Sequence, residues 1–158
     1  MACWLMKTEP DVYSFDDLLA EADRTTSWNG VRNYQARNLM REMRAGDRVL
    51  IYHSGGEPHV AGLASVAREA YPDPTAWDPG SEYHDPAASP ENPRWSMVDV
   101  RGEEALPAPV TLAELKANPR LAAMAVVQRG QRLSVQRVRE EELAEVLRMA
   151  RAKAAGGK

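Results

Sequence analysis

Six consecutive residues, Trp28-Asn29-Gly30-Val31-Arg32-Asn33, place an indole face, a turn glycine, two amide side chains and a guanidinium where a helix is predicted to begin. A flat apolar plate beside backbone N–H groups and bidentate polar groups suits a planar, hydrogen-bonding ligand such as a nucleobase. Trp28 follows the polar run Thr25-Thr26-Ser27 and precedes an Asn-Gly turn, so it stands on no amphipathic face. A stacking platform and a core tryptophan that fixes the loop are the two readings. Gly30 would let a ligand approach the backbone closely. Asn33 could cap the helix, offer its amide to a base edge, or do both.

Further along, Arg32 and Arg37 point to different sides of the predicted helix, so one can reach a ligand or phosphate while the other pairs with an acid. Arg37, Arg41 and Arg44 follow helical spacing, as a solvated face or a phosphate track would. Tyr52-His53-Ser54 ends a predicted strand, where His53 could donate to a ligand or serve as a buried structural histidine. His53, His59 and His84 lack metal-ligand spacing, and a single cysteine, Cys3, excludes a multi-cysteine metal site. Lys7-Thr8-Glu9 and Asp16-Asp17 supply ionisable groups, but there is no GxSxG, HExxH, zinc-deaminase motif or glycine-rich phosphate loop. That absence favours binding over chemistry: no catalytic residue, metal or cofactor is expected.

The elements that must position these residues can be read from patterning. Cys3 to Met6 reads as a first strand. Ser14 with Asp17 forms a capping-box signature for a helix over 15–22, and a second helix runs over 33–43 with Gly46 beyond its end. Residues 48–53 and 59–70, joined by Ser54-Gly55-Gly56-Glu57-Pro58, predict a hairpin. Residues 71–93 hold six prolines and five acids and predict a long ordered loop of the kind that carries function or covers a site. A strand over 94–101, a short helix opened by Thr111 and Glu114, a strand over 133–138 and a helix over 140–154 follow. Strands pair locally without a βαβ rhythm, which favours an α+β fold with a mostly antiparallel, barrel-like sheet. One domain over 1–155 and a frayed tail at 156–158 are expected.

Net charge is −3, which argues against bulk electrostatic coating of nucleic acid. Its distribution is uneven: residues 24–48 hold six arginines against Glu42 and Asp47, and 116–139 hold six bases and no acid. These blocks either meet as a local patch on an acidic body or are paired in trans. All ten aromatics lie in the first 95 residues, and only one is Phe, so a pocket built there has aromatics with polar handles. No apolar run approaches a membrane span and no secretory pattern is visible, so a cytoplasmic monomer is expected.

Several longer motifs then resemble the EVE domain: Trp4-Leu5-Met6-Lys7-Thr8-Glu9-Pro10, Trp28 through Asn38, Gly46-Asp47-Arg48-Val49 through Ser54, Arg68 through Thr75, Glu91-Asn92-Pro93-Arg94-Trp95, and Arg132 through Gln136. The resemblance implies a PUA-like, mixed and mostly antiparallel β-barrel flanked by helices, related to the YTH domains that read methylated RNA bases in an aromatic cage. It implies a non-enzymatic reader of a modified base in DNA or RNA, such as 5-methyl- or 5-hydroxymethylcytosine. Carried over by motif, Trp28 would be one cage wall. Asn29, Gly30, Val31, Arg32 and Asn33 would line the base site, and Thr8, Tyr52, His53 and Ser54 its floor. Trp77 or Tyr83 would close the cage. From the basic blocks, Arg32, Arg37, Arg129 and Arg132 are the expected contacts to backbone phosphates. The expected partner is therefore nucleic acid with a modified base, and no membrane. The rival expectations are a nucleotide or small-metabolite binding protein or enzyme using the same pocket, and a protein-interaction module using the acidic 69–104 region.

Overall fold

Alternation along two strands sets the layering. In β1 (Cys3–Thr8), Cys3 and Leu5 enter one apolar cluster while Trp4 and Met6 enter another. In β3 (Arg48–His53), Leu50 and Tyr52 join the first cluster, and Val49 and Ile51 the second. Strands that are apolar on both faces must be covered on both faces. The computed structural model, which describes residues 1–156, covers them with helices on each side. α1 (Phe15–Leu19) and α2 (Tyr34–Glu42) bury Phe15, Leu18, Ala36 and Met40 in one cluster. α3 (Leu112–Ala117) and α4 (Glu140–Gly156) bury Leu115, Leu143, Val146 and Ala150 in the other.

Completing the sheet are β2 (Thr25–Trp28), β4 (His59–Pro72), β5 (Ser96–Thr111) and β6 (Val135–Val138). The order is β2-β5-β4-β3-β1-β6. β1 and β3 pair in parallel, with Trp4 opposite Val49, and every other pair is antiparallel. The expectation of a mostly antiparallel α+β fold holds, but the expected β-barrel does not form. Among the described residues β2 and β6 are the two free edges of an open sheet. Both faces are already buried by helices, so closure is not needed to complete the core, and both edge strands are only four residues long.

Local rules start the helices where the sequence predicts, although the first, expected over 15–22, ends at Leu19. Ser14 and Asp17 make both bonds of a capping box, as do Thr111 and Glu114. Asn33 caps α2 by accepting from the Ala36 N–H at 2.9 Å. The predicted hairpin forms between β3 and β4. Where α1 crosses β4, a Cβ on Gly62 would lie 2.4 Å from the Phe15 ring, so the glycine lets the helix reach the sheet. The tail expected at 156–158 lies outside the described residues except for Gly156, which ends α4. Among the described residues no helix is long and apolar enough to cross a membrane.

Candidate functional site

Where Thr8, the last residue of β1, comes near Trp28, the last residue of β2, a cavity of about 510 Å³ opens between Thr8, Glu9, Tyr13, Trp28, Asn29 and Tyr83, with Ser134 also lining it. Pockets of this size accept small planar ligands. Trp28 closes β2 opposite Val98 of β5, so a sheet edge fixes its backbone. The Tyr13 ring stands edge-on to the indole, with centroids 6.2 Å apart and planes at 89°. A planar group entering beside one ring stacks on its face and meets the other ring's edge, the arrangement that aromatic quadrupoles favour.

Each wall is anchored. The N–H groups of Val12 and Tyr13 both donate to Glu9 O at 2.9 Å, and the Thr8 hydroxyl donates to Tyr13 O at 2.7 Å. The Tyr13 hydroxyl donates to Glu21 Oε2 at 2.8 Å. Burial first, and then this acid partner against an opposing hydrogen bond to Thr26, pushes its pKa up to about 12. The phenol is therefore neutral at any physiological pH. Among the described residues, neither the Trp28 indole N–H nor the Asn29 side-chain amide has an intramolecular hydrogen-bond partner, and both line the cavity. They are, with the Glu9 carboxylate and the Lys7 ammonium, groups free to meet a ligand.

Behind the cavity lies a clamp. Asp73, whose side chain is 0% exposed, accepts from the Gly30 N–H at 2.9 Å and from Arg32 Nη1 at 3.0 Å through one oxygen. Its other oxygen accepts from the Thr75 N–H at 2.9 Å and the Thr75 hydroxyl at 2.6 Å. Burial alone would raise the Asp73 pKa, but the bonds from Thr75, Gly30 and Arg32 outweigh it and hold the carboxyl below its ordinary value. Arg32 gives three more of its five donors to Tyr83 O at 2.8 Å, Thr75 Oγ1 at 3.0 Å and Val31 O at 2.9 Å. The proline-rich loop is thereby fastened to the Trp28 segment. Gly30, at φ +83°, has the Tyr83 ring so close that a Cβ there would sit 2.7 Å from it. Gly30 is thus required by Tyr83, not by an approaching ligand.

The structure brings together Thr8, Trp28, Asn29, Gly30, Val31, Arg32 and Tyr83 of the residues expected from sequence. It does not bring in the others. Asn33 caps α2. Tyr52 is buried in the cluster beneath α3 and α4, with the Lys7 ammonium 5.7 Å from its ring. His53 is buried, and its Nε2 accepts from the Phe15 N–H at 3.0 Å. Burial, with His59 nearby against a smaller opposing effect of Asp16, lowers its pKa, so it is a neutral structural histidine. The Ser54 N–H donates to Thr8 O, tying β3 to β1. Trp77 packs with Ala76, Ala88 and Trp95 in a separate cluster, which keeps it from closing the cage. Arg37 donates to Arg94 O at 2.8 Å on the outer side of α2, while Arg129 and Arg132 are exposed on the loop that leads to Ser134.

Tyr13, Glu9 and Asp73 are contributed beyond the expected set. Tyr13 was legible as an aromatic with a polar handle, but its position relative to Trp28 depends on the Glu9–Tyr13 turn. Asp73 carried only one signal, an acid between two prolines in a loop long enough to cover a site. A larger hollow of about 750 Å³ lies across α3 and α4. It has no aromatic wall and its charges are paired: Arg148 bonds both Glu145 oxygens, at 2.8 and 2.7 Å, and Lys153 meets Glu114 at 3.0 Å. It is the larger of the two hollows, but chemistry favours the Trp28 cavity.

The family model described as the EVE domain matches residues 2–149. The chain belongs to the EVE domain family. Human thymocyte nuclear protein 1 is 41% identical over 162 residues, covering 91% of this chain and 72% of its own. A hypothetical protein from Leishmania major has a structure 48% identical in sequence, with TM-score 0.91, covering 97% of this chain and 96% of its own. The human THYN1 protein, solved in complex with DNA containing 5-methylcytosine, is 40% identical with TM-score 0.89, covering 95% of this chain and 98% of its own. These similarities extend through the sheet and the loop that the clamp holds, so the EVE domain fold includes every wall of the cavity.

Proposed function

We propose that this EVE domain binds nucleic acid and reads a modified cytosine, 5-methyl- or 5-hydroxymethylcytosine, in the Trp28 cavity without catalysis. The observation that carries the reading is the right-angled pair of Trp28 and Tyr13 with unspent polar groups beside it. One face takes a flipped base, and the Asn29 amide can both donate to and accept from its edge. Glu9, at the rim, is a carboxylate of the kind that accepts from the exocyclic amine of cytosine. The complex of human THYN1 with 5-methylcytosine DNA supports the same ligand class here.

Stacking on Trp28 is worth about 1–3 kcal/mol. Burying the added methyl contributes about 0.8 kcal/mol, or roughly fourfold in affinity. The test is titration of oligonucleotides that carry cytosine, 5-methylcytosine or 5-hydroxymethylcytosine against the parent protein and Trp28→Ala. A preference for a modified strand that disappears in Trp28→Ala supports the reading. Equal affinity for all three strands, unchanged by the substitution, refutes it. Tight binding of a free nucleotide with no gain from a longer strand would instead mark a small-molecule site.

A further inference from the structure

A column of packed groups leads from the cavity to Tyr34, the first residue of α2. The Arg32 guanidinium lies 5.8 Å from the Tyr83 ring centre and 5.6 Å from that of Trp95. Trp95 stacks on Tyr34 at 4.7 Å with planes 25° apart. Tyr34 is the outermost member, 48% exposed, one of the few large apolar side chains left open to solvent. Its surroundings are cationic. The Arg37 guanidinium lies 4.7 Å from the Tyr34 ring centre, and Arg94 bonds the Tyr34 hydroxyl.

Arg37, and Arg41 one turn further along α2, are unneutralised among the described residues. Arg37 donates only to Arg94 O and the Asn38 side chain, and Arg41 to Ser96 Oγ at 3.0 Å and the same Arg94 O at 3.4 Å. Arg94 itself pairs with Asp85, and its φ of +59° is a left-handed conformation that a non-glycine residue holds only when its surroundings enforce it. Glu69 shares a hollow with Arg41 and accepts from the Ala45 N–H at 3.1 Å, but its carboxylate makes no ion pair with Arg41 among the described residues. Two guanidiniums converging on one carbonyl beside an open aromatic ring repel each other unless an anion lies between them. A phosphate supplies that anion, and a base supplies the partner for the ring.

We propose that Tyr34, Arg37 and Arg41 form a second subsite, where a nucleotide flanking the one in the Trp28 cavity stacks on Tyr34 and lays its phosphate on the two arginines. The proposal rests on the cavity reading for the strand's register, and its test separates the two. A single-stranded pentanucleotide of DNA with a central 5-methylcytosine, and free 5-methylcytidine, are titrated against the parent, Tyr34→Leu, Tyr34→Phe, the double variant Arg37→Gln/Arg41→Gln, and Trp28→Ala. Tyr34→Leu should lose at least about fivefold in strand affinity while binding the nucleoside as the parent does. Tyr34→Phe, which keeps the ring, should retain strand affinity. The double arginine variant should flatten the salt dependence of strand binding by about 0.7 in log–log slope per phosphate lost. Unchanged strand affinity in Tyr34→Leu, or equal losses in the Leu and Phe variants, overturns the stacking role. An unaltered salt slope in the arginine variant overturns the phosphate role. Strand binding that falls in Tyr34→Leu but not in Trp28→Ala supports the Tyr34 subsite and refutes the cavity reading.

Discussion

Removing the acceptor at Asp73 should unfasten the cavity from behind. The substitution Asp73→Asn keeps the shape of the side chain and changes only its charge and one acceptor atom. In the parent, one carboxylate oxygen takes the Gly30 N–H and Arg32, and the other takes the Thr75 N–H and hydroxyl. An amide must turn its NH2 toward one of these donor pairs, so at least one buried N–H is left facing another donor. An unsatisfied buried donor costs about 1–3 kcal/mol. Arg32 also loses its counter-charge, and its side chain is 21% exposed, so water recovers part of that loss. Asp73→Asn should therefore cost about 2–4 kcal/mol, near the range found when one partner of a buried pair is removed. For a domain of this size that lowers Tm by roughly 4–16 °C. Urea unfolding measures it directly, with an unchanged m-value showing that only stability has moved. The pH dependence supplies the sign check. Asp73 has a depressed pKa when folded, so its stabilisation is complete above the ordinary carboxylate range. It is lost as pH falls below about 4, where the unfolded chain takes up the proton first. The parent and variant curves should converge in strong acid. A variant within 0.5 kcal/mol of the parent at pH 7, on the order of the effect of a neutral surface substitution, would refute the clamp.

Gly30→Ala should impose the left-handed strain of φ +83° on a residue with a Cβ, about 1–2 kcal/mol, and drive the Tyr83 ring off the cavity. Ligand affinity and the ring signals of Tyr83 by NMR should change together, and a variant that alters neither contradicts the packing of Tyr83 on Gly30. His53 is held neutral by burial, so the unfolded chain binds its proton first as pH falls below about 6.5. Stability should decline from there toward the lower folded pKa, and His53→Gln should remove that part of the pH profile at no cost to the cavity. A ligand affinity that falls tenfold in His53→Gln with stability preserved would return His53 to the site.

Much of the frame was legible because its signals are local. Ser14 with Asp17, Thr111 with Glu114, and Asn33 ahead of Ala36 are caps whose partners lie three residues away, and each forms as its spacing predicts. The second half of β5 was hidden for an equally physical reason. Leu106 to Pro109 bulge out between the pairs Gly62–Ala105 and Val60–Val110, so Pro107 and Pro109 remove no ladder bond there. Locally that stretch reads as loop. β2 was hidden as well, since Thr25-Thr26-Ser27-Trp28 becomes a strand only through its pairing with Val98–Arg101. Without those two pieces the sheet edge cannot be drawn, and an open sheet is indistinguishable from a closed one.

The same distinction between local and distant causes decides what the Trp28 segment does. Read alone, Trp28-Asn29-Gly30-Val31-Arg32-Asn33 offers six groups to a ligand. One local cap and two sets of long-range contacts withdraw three of them. Asn33 is spent on a cap, Gly30 lies beneath Tyr83, and Arg32 has its donors on Asp73, Thr75, Tyr83 O and Val31 O. Apart from Val31 O, none of the partners in the clamp is nearer than 41 residues in sequence to the group it binds on this segment. What remains free is the Trp28 ring with its N–H and the Asn29 amide. A motif this rich in polar groups thus yields a site with few of them exposed, and that restriction favours selectivity. A base that enters must satisfy Asn29 while stacking on Trp28, because the Gly30 N–H and most Arg32 donors beside them are already committed to holding the wall in place.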